Sequence, residues 1–485
     1  MNKVLPIANV LGLMLMVFSL TFILPVATSF WYRDGAAWGF LEAMMITLGG
    51  GYLMWLFTRR FKRELKARDG FLLVTLVWAV MAAFAAIPLL TEIHGLSFTD
   101  AYFEAMSGLT TTGATVLVGL DTLAPALNLW RHELNWLGGM GIIVLAVAVL
   151  PLLGVGGRQL YKAETPGPMK DSQLTPRITE TAKNLWLVYF GFTVACALAL
   201  RWAGMSWLDA VCHAFSALSL GGFSTHDASV GYFNSPLIEA VLIVFMLVAG
   251  VNFASHFLAF RSRSFKPYLA DIEAKAFILL VVGSCAGIGL YLWWMGTYAD
   301  FWSAMRHASF NLVSIATDCG YASVDFDKWP IFAPLWMLFL SCVAVSSGST
   351  GGGIKMIRTL LVFKQGWREM VLLMHPRAVV PVKVGNHAIP NKLVFAIQGF
   401  IFLYFYSVMI LSFVLMLSGL DFISSFTAVI ACINNMGPGL NQVGPANNYQ
   451  IVTDFQAWVL SFTMLLGRLE LFTLLVLFTP AFWRK

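Results

Sequence analysis

SFTDAYFEAMSGLTTTG at 97–113 and SWLDAVCHAFSALSLGG at 206–222 align without gaps at an offset of 109. Ser, Asp, Ala, Ala, Ser, Leu and Gly coincide, seven positions of seventeen, which chance does not readily supply. A third copy reads FNLVSIATDCG (310–320) and a fourth TAVIACINNMG (427–437). The common frame is Ser-x-x-[Thr/Ser]-x-x-Gly: Ser107, Thr110, Gly113; Ser216, Ser219, Gly222; Ser314, Thr317, Gly320. The fourth copy diverges to Ala431, Asn434, Gly437. Its glycines stand 109, 98 and 117 residues apart, so the chain carries an internal repeat of about 100 residues.

Apolar runs surround each copy. Of 485 residues, 59% are apolar and 12% charged, about half the roughly 25% of a soluble domain. Too few charges are present to build a water-facing surface. This excludes an ordinary cytosolic enzyme, a disordered chain and a secreted disulfide scaffold, and leaves a polytopic membrane protein. A spanning helix needs about 20 apolar residues. Runs near 8–30, 38–58, 71–91, 133–153, 185–204, 236–260, 276–297, 332–363, 392–418 and 456–481 predict ten transmembrane helices, the first read as retained rather than as a signal peptide. The fold class is all-α, with ten spans and four re-entrant pore helices. Residues 1–69 form two extra N-terminal spans. Pore repeats cover 70–157, 183–262, 274–365 and 390–485. Each repeat is span, short helix, Gly loop, span, so all four share one orientation about an axis along the membrane normal.

The bases set the sidedness. With Lys3 inside, 25 of the 31 Lys and Arg fall in alternate loops on that side. Only Arg33, Arg131, Arg201, Arg306 and Lys328 lie outside, and Arg468 is left within the membrane. Both termini are therefore placed in the cytoplasm. The acids crowd the outer side, among them Asp100, Glu104, Asp121, Asp209 and Asp318. They either draw cations to an entrance or simply avoid the basic loops. Clustered bases between apolar runs argue topology rather than nucleic acid. The six cysteines form no C-x-x-C pair and the histidines no H-E-x-x-H, which speaks against a disulfide or zinc site. No nucleophile–base pair or phosphate loop is visible, so an enzyme is not expected.

Irregular backbone cannot face lipid, because its carbonyls would lack partners. It is tolerated where it lines a water-filled or ion-filled path. Four polar-Gly loops at membrane depth therefore imply a pore, with glycine allowing the positive φ that aims carbonyls inward. Rings of carbonyls replace the hydration shell of a monovalent cation. The alternative is four surface helices with glycine C-caps.

With TTTGAT (110–115), SLGGFS (219–224), TDCGY (317–321) and NNMGPGL (434–440), the whole chain resembles the Trk/Ktr/HKT superfamily of potassium transporters. The resemblance implies pseudo-fourfold symmetry around one pore and a homodimer in the bacterial inner membrane. Potassium would be the substrate, with no organic cofactor in this chain. Glycine at all four filter positions favours potassium over sodium. Ion contacts are assigned to the carbonyls of Thr111, Thr112 and Gly113; Leu220, Gly221 and Gly222; Asp318, Cys319 and Gly320; Asn435, Met436 and Gly437. Leu220 and Met436 have side chains that cannot ligate, so backbone must do it. Asp318 either contacts an ion or holds its loop. The hydroxyls of Thr110, Ser219 and Thr317 flank the filter. Regulation is implied by a TrkA-like cytoplasmic ring of nucleotide-binding domains, for which the basic loops 155–184 and 355–392 are candidate docking surfaces. The reading is of a channel-like uptake subunit; the alternative is a symporter coupled to protons or sodium.

Two features suggest a gate. SSGSTGGGIK (346–355) interrupts the eighth span. From Phe332 to Ser346 is about 15 residues, or about 22 Å of helix, too short to cross about 30 Å. Gly348, Ser349, Thr350, Gly351, Gly352, Gly353 and Lys355 should then line the path below the third filter segment, as in the resembled family. It is not a phosphate loop, since Gly353 is followed by Ile354 and Lys355. A cytoplasmic linker and a static packing break are the alternatives. Arg468, in SFTMLLGRLELF, costs about 2.5 kcal/mol or more at a helix centre. It either faces the pore and pairs with loop carbonyls as a barrier to cations, or makes a packing ion pair. Glu470, about 200° around the helix, is a poor partner for it.

Overall fold

A computed structural model describes residues 4–144 except 62 and 64, and 178–484 except 386. Among the described residues its regular elements are helices but for one antiparallel pair of two-residue strands, which sets Lys383 against Ala388. Apolar side chains cover the exterior, as at Trp31, Phe57, Leu279 and Phe402, while Thr112, Asn135, Ser216, Asn311 and Thr317 are buried. This reverses a water-soluble protein and suits lipid outside and a polar path inside.

Among the described residues, six helices are long and apolar enough to cross a membrane: Leu5–Tyr32, Ala37–Thr58, Arg68–Glu92, Ala182–Trp202, Ile272–Trp294 and Asn391–Leu417. Counting each of two bent pairs as one span gives eight: Pro236–Gly250 with Phe253–Ser262, bent by 96°, and Asp454–Arg468 with Phe472–Phe478, bent by 111°. Two of the ten expected spans correspond to neither a long helix nor a bent pair. The run at 133–153 belongs to a helix, Pro125–Val144, that carries the buried Arg131, His132 and Glu133. The remainder of that run, past Val144, lies outside the described residues, as does most of the 155–184 loop. The run at 332–363 divides into Phe332–Val343 and Met356–Met374 around a non-helical stretch. The second piece turns part of the expected 355–392 loop into helix. It buries Ile357, Leu361 and Gln365, one residue per turn on a single face.

Four short helices, Phe98–Leu109, Trp207–Ser219, Phe301–Ala316 and Phe422–Ile433, precede the four glycines. Each has a side-chain N-cap. Ser97 accepts from Asp100 N, Ser206 from Asp209 N, Asp300 from Ser303 N and Asp421 from Ser424 N, at 2.7–3.1 Å. Such a cap contributes about 1 kcal/mol. The Ser and Asp shared by the first two copies are thus one local device. The third helix is 16 residues long against 12 or 13 for the others.

Candidate functional site: a ring of four glycine loops over a buried loop

The four loops leave their helices in the same way. Thr112 N donates to Ser107 O, Gly221 N to Ser216 O, Cys319 N to Ser314 O and Met436 N to Ala431 O, each at 2.8 Å. The first position of the repeated frame therefore acts through its carbonyl, and Ala431 serves as well as serine. Thr111, Leu220, Asp318 and Asn435 adopt φ of 54–64°, and Gly113, Gly222, Gly320 and Gly437 φ of 66–97°. Non-glycine residues in this region cost of order 1–3 kcal/mol each and cluster where function requires them.

The loops meet in a closed circle. Gly113 abuts the Gly221 carbonyl, Gly222 that of Cys319, Gly320 that of Met436, and Gly437 that of Thr112. A Cβ on Gly437 would lie 2.7 Å from Thr112 O, and at the other three positions closer still to the facing oxygen. Glycine is therefore required twice over, by φ and by space. Four carbonyls from four loops stand in one ring, and Leu220, Cys319 and Met436 send their side chains into the core.

The flanking hydroxyls donate within their own helices: Thr110 to Met106 O, Ser219 to Phe215 O and Thr317 to Val313 O, at 2.7–2.8 Å. The fourth copy uses its divergent residue differently. Asn434 donates to Ser341 Oγ at 2.9 Å and accepts from Tyr404 OH at 2.6 Å, joining two neighbouring helices. Asn435 donates to Thr112 Oγ1 at 3.0 Å and so links the fourth loop to the first.

An ion pair that sequence reasoning missed buttresses the ring. Arg131 Nε meets Glu104 Oε1 at 2.8 Å, both side chains buried. Glu104 accepts from Thr115 Oγ1 and Val116 N, just beyond Gly113. Arg131 donates to Ser224 O at 3.2 Å and lies over the Phe223 ring, just beyond Gly222. The pair thus clamps two adjacent loops. The charge pattern alone places Arg131 in an outer loop and Glu104 among entrance acids, and the structure corrects both. The available signal was a charged triplet, Arg131–Glu133, inside the apolar LNLWRHELNWLGG. Asp318 is no entrance acid either, being fully buried. Asp121 and Asp227 are exposed, with His226 between Asp121 (2.5 Å) and Asp209 (3.5 Å).

The 346–355 stretch lies against the carbonyl ends of three short helices. Thr350 Oγ1 donates to Leu218 O at 3.0 Å. The Gly351 Cα packs so closely that a Cβ would lie 3.0 Å from Thr317 O, and Gly352 abuts Asn434 O. Lys355 Nζ donates to Gly351 O. Arg468 donates to Thr350 O at 3.0 Å and to Gly138 O at 2.9 Å. Gly138 in turn abuts Leu109 O of the first short helix. Helices end in partial negative charge, and Lys355 and Arg468 are the cations beneath them. Ser349 is buried and Gly348 and Gly353 take positive φ.

The last span is not a continuous helix with Arg468 at its centre. The helix ends at Arg468, with Leu469 as its cap and Glu470 at φ 52°. Arg468 is then a basic residue in a last turn, a favourable place for it. Glu470 turns to Arg358 at 2.5 Å. A further unforeseen residue is Glu273, which accepts from Ser347 N at 2.6 Å and Ile357 N at 3.2 Å, gripping both ends of the buried loop.

The chain as a whole is similar to known proteins. The family described as TrkH, cation transport protein, matches residues 39–485. The Trk system potassium uptake protein TrkH of Salmonella typhimurium is 48% identical over 483 residues, covering 99% of each chain. The Trk system potassium uptake protein TrkG of Escherichia coli is 38% identical over 484 residues, covering 99% of this chain and 98% of that one. The crystal structure of the potassium transporter TrkH from Vibrio parahaemolyticus superposes with a TM-score of 0.91 at 45% identity, over 99% of both chains. This is a family of transport proteins, not of enzymes, and the chain described here belongs to it: it is a TrkH-family cation transport protein.

Proposed function

We propose that this chain is a channel-like potassium uptake subunit of a bacterial inner membrane, with both termini cytoplasmic. The observation that carries the reading is the circle of glycine loops, whose uncharged oxygens can replace an ion's water and still release it. The carbonyls of Thr112, Gly221, Cys319 and Met436, with those of their neighbours at 111–113, 220–222, 318–320 and 435–437, form the filter. Four repeats at 70–157, 183–262, 274–365 and 390–485, preceded by 1–69, supply ten spans around it. The 346–355 loop and Arg468 form the barrier on its cytoplasmic side. The relatives named as potassium uptake proteins of Trk systems support potassium as the ion. Their names as parts of a Trk system support partnership with other Trk components, which we take to be a second copy of this chain and a TrkA-like nucleotide-binding ring.

An inside-negative potential of 100 mV contributes about 2.3 kcal/mol per ion, enough for modest accumulation without a second ion. The test is a reversal-potential measurement on purified protein, with potassium and sodium on opposite sides and no proton gradient. A reversal potential on the potassium side supports the reading. Equal permeabilities refute the filter, and no current with potassium alone at a set voltage, without proton or sodium gradients, refutes a channel.

A further inference from the structure

Away from the ring, an apolar groove of about 1030 Å³ opens between the bent pair Pro236–Gly250/Phe253–Ser262 and the helix Ile272–Trp294, a volume typical of a ligand site. Leu247, Val251, Phe260, Ile278 and Val282 form its walls, and Arg263, Lys275 and Tyr268 stand in its lining as well. Along Ile272–Trp294 the groove is graded. Lys275 sits in the first turn and Val282 two turns deeper, about 10 Å along the axis. Phe260, Phe265 and Leu279 are exposed beside it.

Arg263 and Lys275 are exposed, and neither forms an ion pair with an acid among the described residues. The nearby acids are turned elsewhere. Asp271 accepts from Ser255 Oγ and from the amides of Glu273 and Ala274, and Glu273 accepts from the buried loop. The groove therefore presents unneutralised positive charge at one end and hydrocarbon along its length. His256, bonded to Val248 O and Tyr268 OH at 2.9 and 2.8 Å, holds its walls together.

We propose that the groove is a binding site for one anionic diacyl phospholipid of the cytoplasmic leaflet, its phosphate held by Arg263 and Lys275 and an acyl chain laid along Ile278 and Val282. Basic pockets between membrane helices recognise such head groups. The site touches the transport machinery through the 96° bend: Ser346 N donates to Gly250 O at 3.0 Å and Phe253 N to Gly348 O at 3.1 Å. A lipid filling the groove braces the bend on which the buried loop is seated. That link rests on the proposed function, whereas lipid binding itself does not.

The test uses the full-length protein in detergent. Phosphatidylglycerol should raise its melting temperature more than phosphatidylcholine, and Arg263→Gln with Lys275→Gln should weaken that preference by about tenfold or more. Equal shifts with both lipids, or an undiminished preference in the double variant, would overturn the proposal. On the unaltered protein, a photoactivatable phosphatidylglycerol should label 247–282 and its phosphatidylcholine counterpart should not; labelling elsewhere counts against the site. A disulfide between two copies carrying Leu279→Cys would show that a second chain, not lipid, covers the groove.

Discussion

The guanidinium of Arg468 donates to the carbonyl of Thr350 at 3.0 Å, joining the end of the helix Asp454–Arg468 to the middle of the buried loop. The same group holds Gly138 O, so one cation ties the loop to the base of the first repeat. A charged hydrogen bond contributes about 1.5–3 kcal/mol. Arg468→Ala should therefore free the loop and raise potassium flux in proteoliposomes by roughly tenfold or more. Flux and gating identical to the unaltered protein would remove Arg468 from the barrier.

Gly222 combines φ of 66° with a facing carbonyl, that of Cys319. Gly222→Ala should force the Cys319 carbonyl aside and collapse potassium over sodium discrimination, read as a reversal potential moving toward zero. Ala at Gly283, where a Cβ meets nothing, should leave it unchanged.

Removing one partner of a buried ion pair costs about 3–5 kcal/mol, because the other charge is stranded. Glu104→Leu should thus lower the melting temperature strongly, and the double variant Glu104→Leu/Arg131→Met should recover much of the loss. Equal destabilisation by single and double variants would show that the pair acts mainly through its other hydrogen bonds.

Glu273 separates shape from acceptor. Glu273→Gln keeps an oxygen for Ser347 N and Ile357 N, whereas Glu273→Ala strands two buried donors, at about 1–3 kcal/mol each. Open probability in planar bilayers should rise in the Ala variant and stay near the unaltered value in the Gln variant.

His226, set between Asp121 and Asp209, supplies a pH dependence. Burial opposes its charge, but hydrogen bonds and charge from Asp209 and Asp121 outweigh burial and raise its pKa above the ordinary value. For Asp121, burial is likewise outweighed, chiefly by the bond to His226, and its pKa is lowered. The histidine contribution is complete below its unfolded pKa of about 6.5 and is lost as pH rises through the raised folded value. The aspartate contribution holds above about 3.9 and is lost as pH falls through the lowered one. The melting-temperature advantage over His226→Gln should be flat between about pH 4 and 6.5 and shrink toward pH 9. An advantage that grows with pH would contradict the assignment.

The repeats were legible because their chemistry is local. A cap three residues from its donor, a carbonyl five residues from the amide it receives and a glycine at positive φ all leave a pattern in one short window, and four copies of that window imply four equivalent loops. The scarcity of charge and the apolar runs likewise read directly as lipid-facing helices. Ring closure was not legible, because it sets Gly437 against Thr112 across more than 300 residues, and the glycine requirement there comes from the neighbouring carbonyl as much as from φ. Nor were Arg131 and Glu104, Glu273 and the ends of its loop, or the bend that puts Arg468 in a last turn rather than mid-helix. Each depends on which distant group fills a buried polar partner's place. Composition and periodicity determine which face of a helix meets lipid, whereas only the packed tertiary structure decides which charge meets which carbonyl inside.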